Sequence, residues 1–101
     1  KILEAFDEFY ADDIVMEEDG KMRDGFDANR EYEEQFVESL EAFHDAEIRS
    51  RAVDEENNVT LSEWYNDMTL EGVGRVQQEQ VSVRTWNEDG KITNEKFYKL
   101  G

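Results

Sequence analysis

A chain of 101 residues with 27 acidic and 11 basic side chains carries a formal charge of −16, and such a surface repels phosphate backbones and anionic bilayers, which argues against nucleic-acid and membrane partners. The length suits one domain over residues 1–101, and its core draws on six Phe, four Tyr and two Trp, each of which buries a large area. The absence of cysteine removes disulfides, thiolate metal sites and thiol nucleophiles, and with no bilayer-length apolar run and no signal peptide the cytoplasm is the expected compartment.

The acidic residues are dispersed along a periodic apolar pattern, so the chain reads as folded rather than disordered. Ile2, Leu3, Phe6, Phe9 and Tyr10 share one side of a helical projection, which predicts a helix ending near Ala11 or Asp12. The chain opens inside this segment, so the first helix is expected to start before Lys1. Ile14, Val15 and Met16 then form a short strand running into Glu17 and Glu18, Asp19-Gly20 turns the chain, and Lys21 to Arg23 return it. A second helix follows Gly25, with Asp24 or Asp27 as cap, because Ala28, Tyr32, Phe36, Leu40 and Phe43 make one apolar stripe opposite Glu31, Glu34, Glu38 and Glu41.

Everything after His44 reads as strand. Ala46 to Val53 alternates with period two, residues 54–58 turn, and Val59 to Leu70 is rich in strand-favouring residues. Gly72 and Gly74 bracket the next turn, Val76 to Trp86 continues, Asn87 to Gly90 is a hairpin signal, and Ile92 to Tyr98 closes the series. Helices first and a meander afterwards predict an α+β domain, in which a curved antiparallel sheet wraps the second helix around one core.

The run Phe9-Tyr10-Ala11-Asp12-Asp13-Ile14-Val15-Met16 resembles a landmark of the NTF2-like superfamily, which includes SnoaL-like proteins. Gly25, the long strands, Asp89-Gly90-Lys91-Ile92 and the closing Glu95-Lys96-Phe97-Tyr98 are similar to others in the same order. The resemblance implies a cone with a pocket at its open end, often a homodimer through the outer sheet face. It implies no single activity, because members include isomerases, cyclases, hydrolases, dehydratases and proteins without known activity. By position, Glu18 falls where the isomerase members carry a general-base carboxylate. Their oxyanion-holding acid falls on Ser82, and their tyrosine falls before Lys1, so a close copy of that mechanism is not supported.

Glu18 is thus the candidate catalytic carboxylate, against the reading of Glu17, Glu18 and Asp19 as a solvated turn. His44, the only histidine, is a structural hydrogen-bonder more readily than a proton shuttle, and alone it makes no zinc site. Gln80, Ser82, Arg84 and Trp86 alternate onto one strand face, where they either line a cavity or stand outside, with Val81 and Val83 inward and Arg84 in a cross-strand ion pair. Trp64 belongs to the preceding strand, and Met16, Phe36 and Phe97 complete the candidate ligand-binding set, the aromatics serving equally as pocket wall or core. No metal or cofactor site is expected: calcium-loop spacing, a phosphate-cradling glycine loop and a nucleophile elbow are all missing.

Two functions follow. One is a domain binding a small apolar or carbonyl-containing metabolite, with cofactor-free acid–base chemistry by Glu18 and orientation by Arg84 or Ser82. The other is a non-enzymatic homodimeric interaction module with a vestigial pocket.

Overall fold

A computed structural model describes residues 2–100, Leu100 by its backbone alone. In chain order the elements are α1 (Ile2–Phe9), β1 (Tyr10–Glu18), β2 (Lys21–Asp24), α2 (Phe26–Ser39), β3 (Leu40–Asp54), β4 (Val59–Leu70), β5 (Gly74–Trp86) and β6 (Ile92–Leu100). The six strands form one unclosed sheet in the order β2-β1-β6-β5-β4-β3. Helix α2 packs on β1 and β2 at one edge of the sheet and runs directly into β3 at the other. The sheet curves around α2, and the cavity between them is lined by Glu33 and Phe36 of the helix and by Met16, Trp64 and Ser82 of β1, β4 and β5.

The sheet is mixed, which corrects the antiparallel expectation. β1 runs parallel to β6, Met16 beside Glu95 and Glu18 beside Phe97, while β2 hairpins onto the outer edge of β1. The Asp19-Gly20 turn has positive φ at both residues, the twist that a two-residue hairpin needs. Four further boundaries differ from expectation. α1 ends at Phe9, because Tyr10 already pairs with Ile92; β1 accordingly spans Tyr10–Glu18 instead of three residues. β5 begins at Gly74, opposite Leu70. α2 ends at Ser39 and β3 starts at Leu40: Leu40 is extended and pairs with Leu70, and Phe43 pairs with Met68. Their helical spacing is shared by a strand whose register slips between Leu40 and Ala42 and again between Phe43 and Asp45.

The cap of α2 is also different. Neither Asp24 nor Asp27 caps it; the N-cap is Gly25, with φ 92° and ψ 156°, a conformation essentially closed to residues with a Cβ. Asn29 ties the turn to the helix from inside, its Nδ2 donating to the carbonyls of Gly25 (2.8 Å) and Arg23 (2.9 Å).

The core is small and lies at the closed end, where Phe6, Ile14, Met16 and Ile92 are buried and Tyr10, Phe26, Trp86 and Phe97 pack on them. The register break between Tyr10 and Val15 bends β1 within this core. The Phe6 ring stacks on Tyr10 at 4.3 Å and tilts against Phe26 at 5.3 Å. Phe6 is the one residue of its predicted stripe to be buried; Ile2 and Phe9 are exposed.

Candidate functional site

Strand pairing places the inner face in rows, since partners across a ladder share a side of the sheet. One row runs Arg23–Met16–Glu95–Arg84–Thr60, the next Glu18–Phe97–Ser82–Ser62, and a third Lys99–Gln80–Trp64–Ile48. The even-numbered face of β5 is therefore the concave one, which settles the parity that the sequence left open. Arg84 does form a cross-strand ion pair, with Glu95, but on the inner face rather than the outer.

That pair is the centre of the site. Glu95 is 0% exposed. One carboxylate oxygen accepts from Tyr10 Oη and the other from Arg84 Nε, so a buried charge has partners on both oxygens. Burial, then the Glu95 charge, pushes the Tyr10 hydroxyl far above its ordinary range and keeps it protonated. For Arg84 burial acts to lower the pKa, but Glu95 and Tyr10 outweigh it and the net shift is upward. The guanidinium stays charged.

Glu33 faces this cluster from α2. Desolvation raises its pKa; Glu95 and, more weakly, Glu18 raise it further, against an opposing pull from Arg23. Its proton is held more readily than that of an ordinary solvated carboxyl. At the β2 edge, Arg23 donates through Nε to Asn29 Oδ1 (3.2 Å), and its guanidinium lies 3.6 Å over the Tyr32 ring.

The cavity has a volume of about 470 Å³. Met16, Phe36, Trp64, Gln80, Ser82, Arg84 and Phe97 all line it, and so does Glu18, whose side chain is 24% exposed with Lys99 Nζ 4.0 Å away. Trp86 does not line this part: its indole donates to Thr60 Oγ1 at 2.9 Å, and it borders an adjoining lobe of about 490 Å³ toward α1. Glu33, Arg84, Trp64, Met16 and Phe97 border both lobes. Either volume suits a small metabolite. The buried Trp64 Nε1 has no hydrogen-bond partner among the described residues. His44 is exposed, with Nε2 2.8 Å from Thr69 Oγ1. Among the described residues no cluster of three His, Asp or Glu side chains is arranged to hold a metal, and no helix is long and apolar enough to cross a membrane.

Tyr10, Arg23, Asn29, Glu33 and Glu95 are the site residues that sequence reasoning missed. Two signals were present. Gly25 and Asn29 stand at i and i+4 across a helix start, and Glu95 lies opposite Arg84 once the Asn87–Gly90 hairpin sets the register.

A curled α+β sheet closed by a helix over a cavity is the NTF2-like, ketosteroid isomerase-like fold. Residues 2–95 match the SnoaL-like domain family, and the chain belongs to it. No curated protein gives a significant match. Among solved structures, an NTF2-like protein of unknown function from Exiguobacterium sp. 255-15 superposes with a TM-score of 0.81 at 17% identity, over 96% of this chain and 84% of that one. SalBIII, an epoxide hydrolase/cyclase-like enzyme with a role in pyran-ring formation in the polyether salinomycin, gives 0.80 at 24% identity, over 97% and 78%. A protein with a ketosteroid isomerase-like fold from Catenulispora acidiphila, in complex with trimethylamine, gives 0.78 at 13% identity, over 97% and 75%. At these identities the likeness is one of fold.

Proposed function

We propose that the chain binds a small, largely apolar metabolite carrying a carbonyl oxygen and moves a proton on it without a cofactor, as isomerases and cyclases do. The observation that carries the reading is Glu33: a half-buried carboxyl with a raised pKa, bordering both lobes and set across from the Arg84–Glu95–Tyr10 cluster. In this reading the ionised Glu33 takes a proton from the carbon next to the carbonyl, the C–H electron pair becomes the carbon–carbon double bond of an enolate, and the carbonyl π pair moves onto the oxygen. Arg84 donates to that oxygen as its charge grows, and the Glu33 acid returns the proton to carbon. Glu95 and Tyr10 hold the guanidinium in position. Glu18 is the second carboxylate of the cavity and supports the Glu33 proton by repulsion. The cyclase-like and isomerase-like neighbours support the class of chemistry.

The test is exchange of the carbon-bound protons of ketones sized to the cavity, followed by NMR in deuterated water. Glu33→Gln should slow exchange about a hundredfold or more, the usual worth of a positioned acid–base group, and Glu18→Gln should slow it less. Exchange at the wild-type rate in Glu33→Gln contradicts the assignment.

A homodimer is a second, compatible proposal. The convex face carries Val81, Val83 and Tyr98, the last 53% exposed. Light scattering should give twice the chain mass, with Val81→Glu reducing it; a wild-type monomer removes the proposal.

A further inference from the structure

The proton chemistry leaves one cavity cation unused. Arg84 is neutralised by Glu95, and Lys99 by Asp19 at 3.6 Å and Glu18 at 4.0 Å. Arg23 lines the same cavity with no carboxylate within 4.0 Å among the described residues. Its direct contacts are neutral, the Asn29 amide, the Tyr32 ring and the Met16 sulfur, 4.0 Å from Nη2, and the carboxyl that feels its charge from beyond 4.0 Å is Glu33, whose pKa is raised. What sets this arginine apart is the support that holds it. Asn29 is 0% exposed and grips both the Arg23 carbonyl and its Nε, while Tyr32 fixes the plane of the guanidinium. Of the five N–H groups of an arginine, the Nε and one Nη2 hydrogen are engaged, which leaves a fork free for an acceptor.

The geometry points to Arg23 as a carboxylate-binding subsite, so that the natural ligand is an oxo acid: an apolar body whose carbonyl meets Arg84 and whose carboxylate meets Arg23. The inference rests on the proposed carbonyl site and adds the second polar end of its ligand. Arg23 and Arg84 share a row, three strand spacings apart, about 14 Å between backbones along the sheet. Two arginine side chains reaching into a concave space shorten that gap to the length of a short carbon tether. Arginine suits the role because its planar fork matches both oxygens of a carboxylate. The acidic surface does not forbid an anion here, since charges more than about 8–10 Å away are largely screened at physiological salt. Cation recognition by the aromatic wall is the competing idea, and two arginines on the same wall oppose it.

The experiment compares matched ketones by calorimetric titration: benzoylpropionate, its amide, and butyrophenone, together with homologues whose acid stands about two to five carbons from the ketone to cover the span of the row. On the wild type the best acid should bind at least about tenfold more tightly than its amide, a charge-assisted pair being worth that much or more. Added salt should narrow the difference. Arg23→Gln should abolish it, weakening the acid far more than the amide or butyrophenone. Arg23→Lys, which keeps the charge but loses the fork, should retain part of it. Equal binding of acid and amide by the wild type overturns the subsite and leaves the carbonyl site standing, and needs no variant to fold. Binding of the acid that ignores Arg23→Gln does the same. Failure of every ketone, charged or neutral, overturns the carbonyl site and the subsite with it.

Discussion

Removing Arg84 alone should cost far more than removing its whole cluster. Glu95 is 0% exposed and its charge is balanced by one guanidinium and one hydroxyl. Arg84→Met leaves that carboxylate with Tyr10 only. Breaking a buried pair in this way costs about 3–5 kcal/mol, while a domain of this size has about 5–15 kcal/mol in total. Desolvation of both charges consumes most of the pair's Coulomb gain, so replacing every member with apolar groups is often neutral. The triple variant Tyr10→Phe, Arg84→Met, Glu95→Leu should therefore lie within about 2 kcal/mol of wild type, and well above Arg84→Met. Urea unfolding at neutral pH, followed by circular dichroism, reads both differences from the midpoints with the slopes held in check. The triple variant should also bind no ketone, since a cluster kept for recognition can be traded for stability at the expense of function. An Arg84→Met cost below about 1 kcal/mol, the range of an exposed pair, or a triple variant less stable than the single one, refutes the picture of a buried charge held for ligand binding.

Four other substitutions separate the forces at work. Because the Glu33 pKa is raised in the folded protein above its ordinary 4.5, the stability that its protonated form contributes is complete below that value and is lost as pH rises through the folded pKa. Glu33→Gln should thus be more stable than wild type at neutral pH, with the gap closing on acidification; a constant gap contradicts the shift. Gly25→Ala should cost about 1–3 kcal/mol from backbone strain alone, since nothing lies within 4 Å of a Cβ placed there; thermal unfolding measures it, and a neutral result would deny the positive φ. Trp64→Phe removes a buried donor that has no partner among the described residues, whereas Trp86→Phe breaks the bond to Thr60. The second should cost about 1 kcal/mol more than the first by urea midpoints, and the reverse order would place the bonded indole wrongly.

The contrast between what the residues disclosed and what they hid has physical causes. The turns, α2 and the four long strands announced themselves through Gly positions and periodicity. Those signals are local, and nothing remote competes with them. β1 was harder, because Phe6, Phe9 and Tyr10 fit a helical stripe, and only pairing with the distant β6 pulls Tyr10 into a strand. The mixed topology has the same origin: a parallel partner at the other end of the chain leaves no mark on either segment. The polar face of β5 was ambiguous, since alternation normally turns polar groups outward. Here Gln80, Ser82 and Arg84 face inward because the concave side lines a cavity instead of a packed core. Glu95 and Glu33 were hidden by abundance. Among 27 acidic residues a single glutamate carries no signal, and only the register and the helix contacts bring Glu95 and Glu33 to the cavity. Glu18, singled out by resemblance, lines the same cavity as Glu33.

The most direct measurement is the carbon-13 shift of a carbonyl-labelled ketone bound to the wild-type chain. An oxygen accepting from Arg84 moves that resonance downfield of its position in free solution, and the account predicts such a shift, with cross-peaks to Trp64 and Phe97. A bound ketone whose carbonyl keeps its solution shift, or whose cross-peaks fall on the convex face at Val81 and Tyr98, contradicts it.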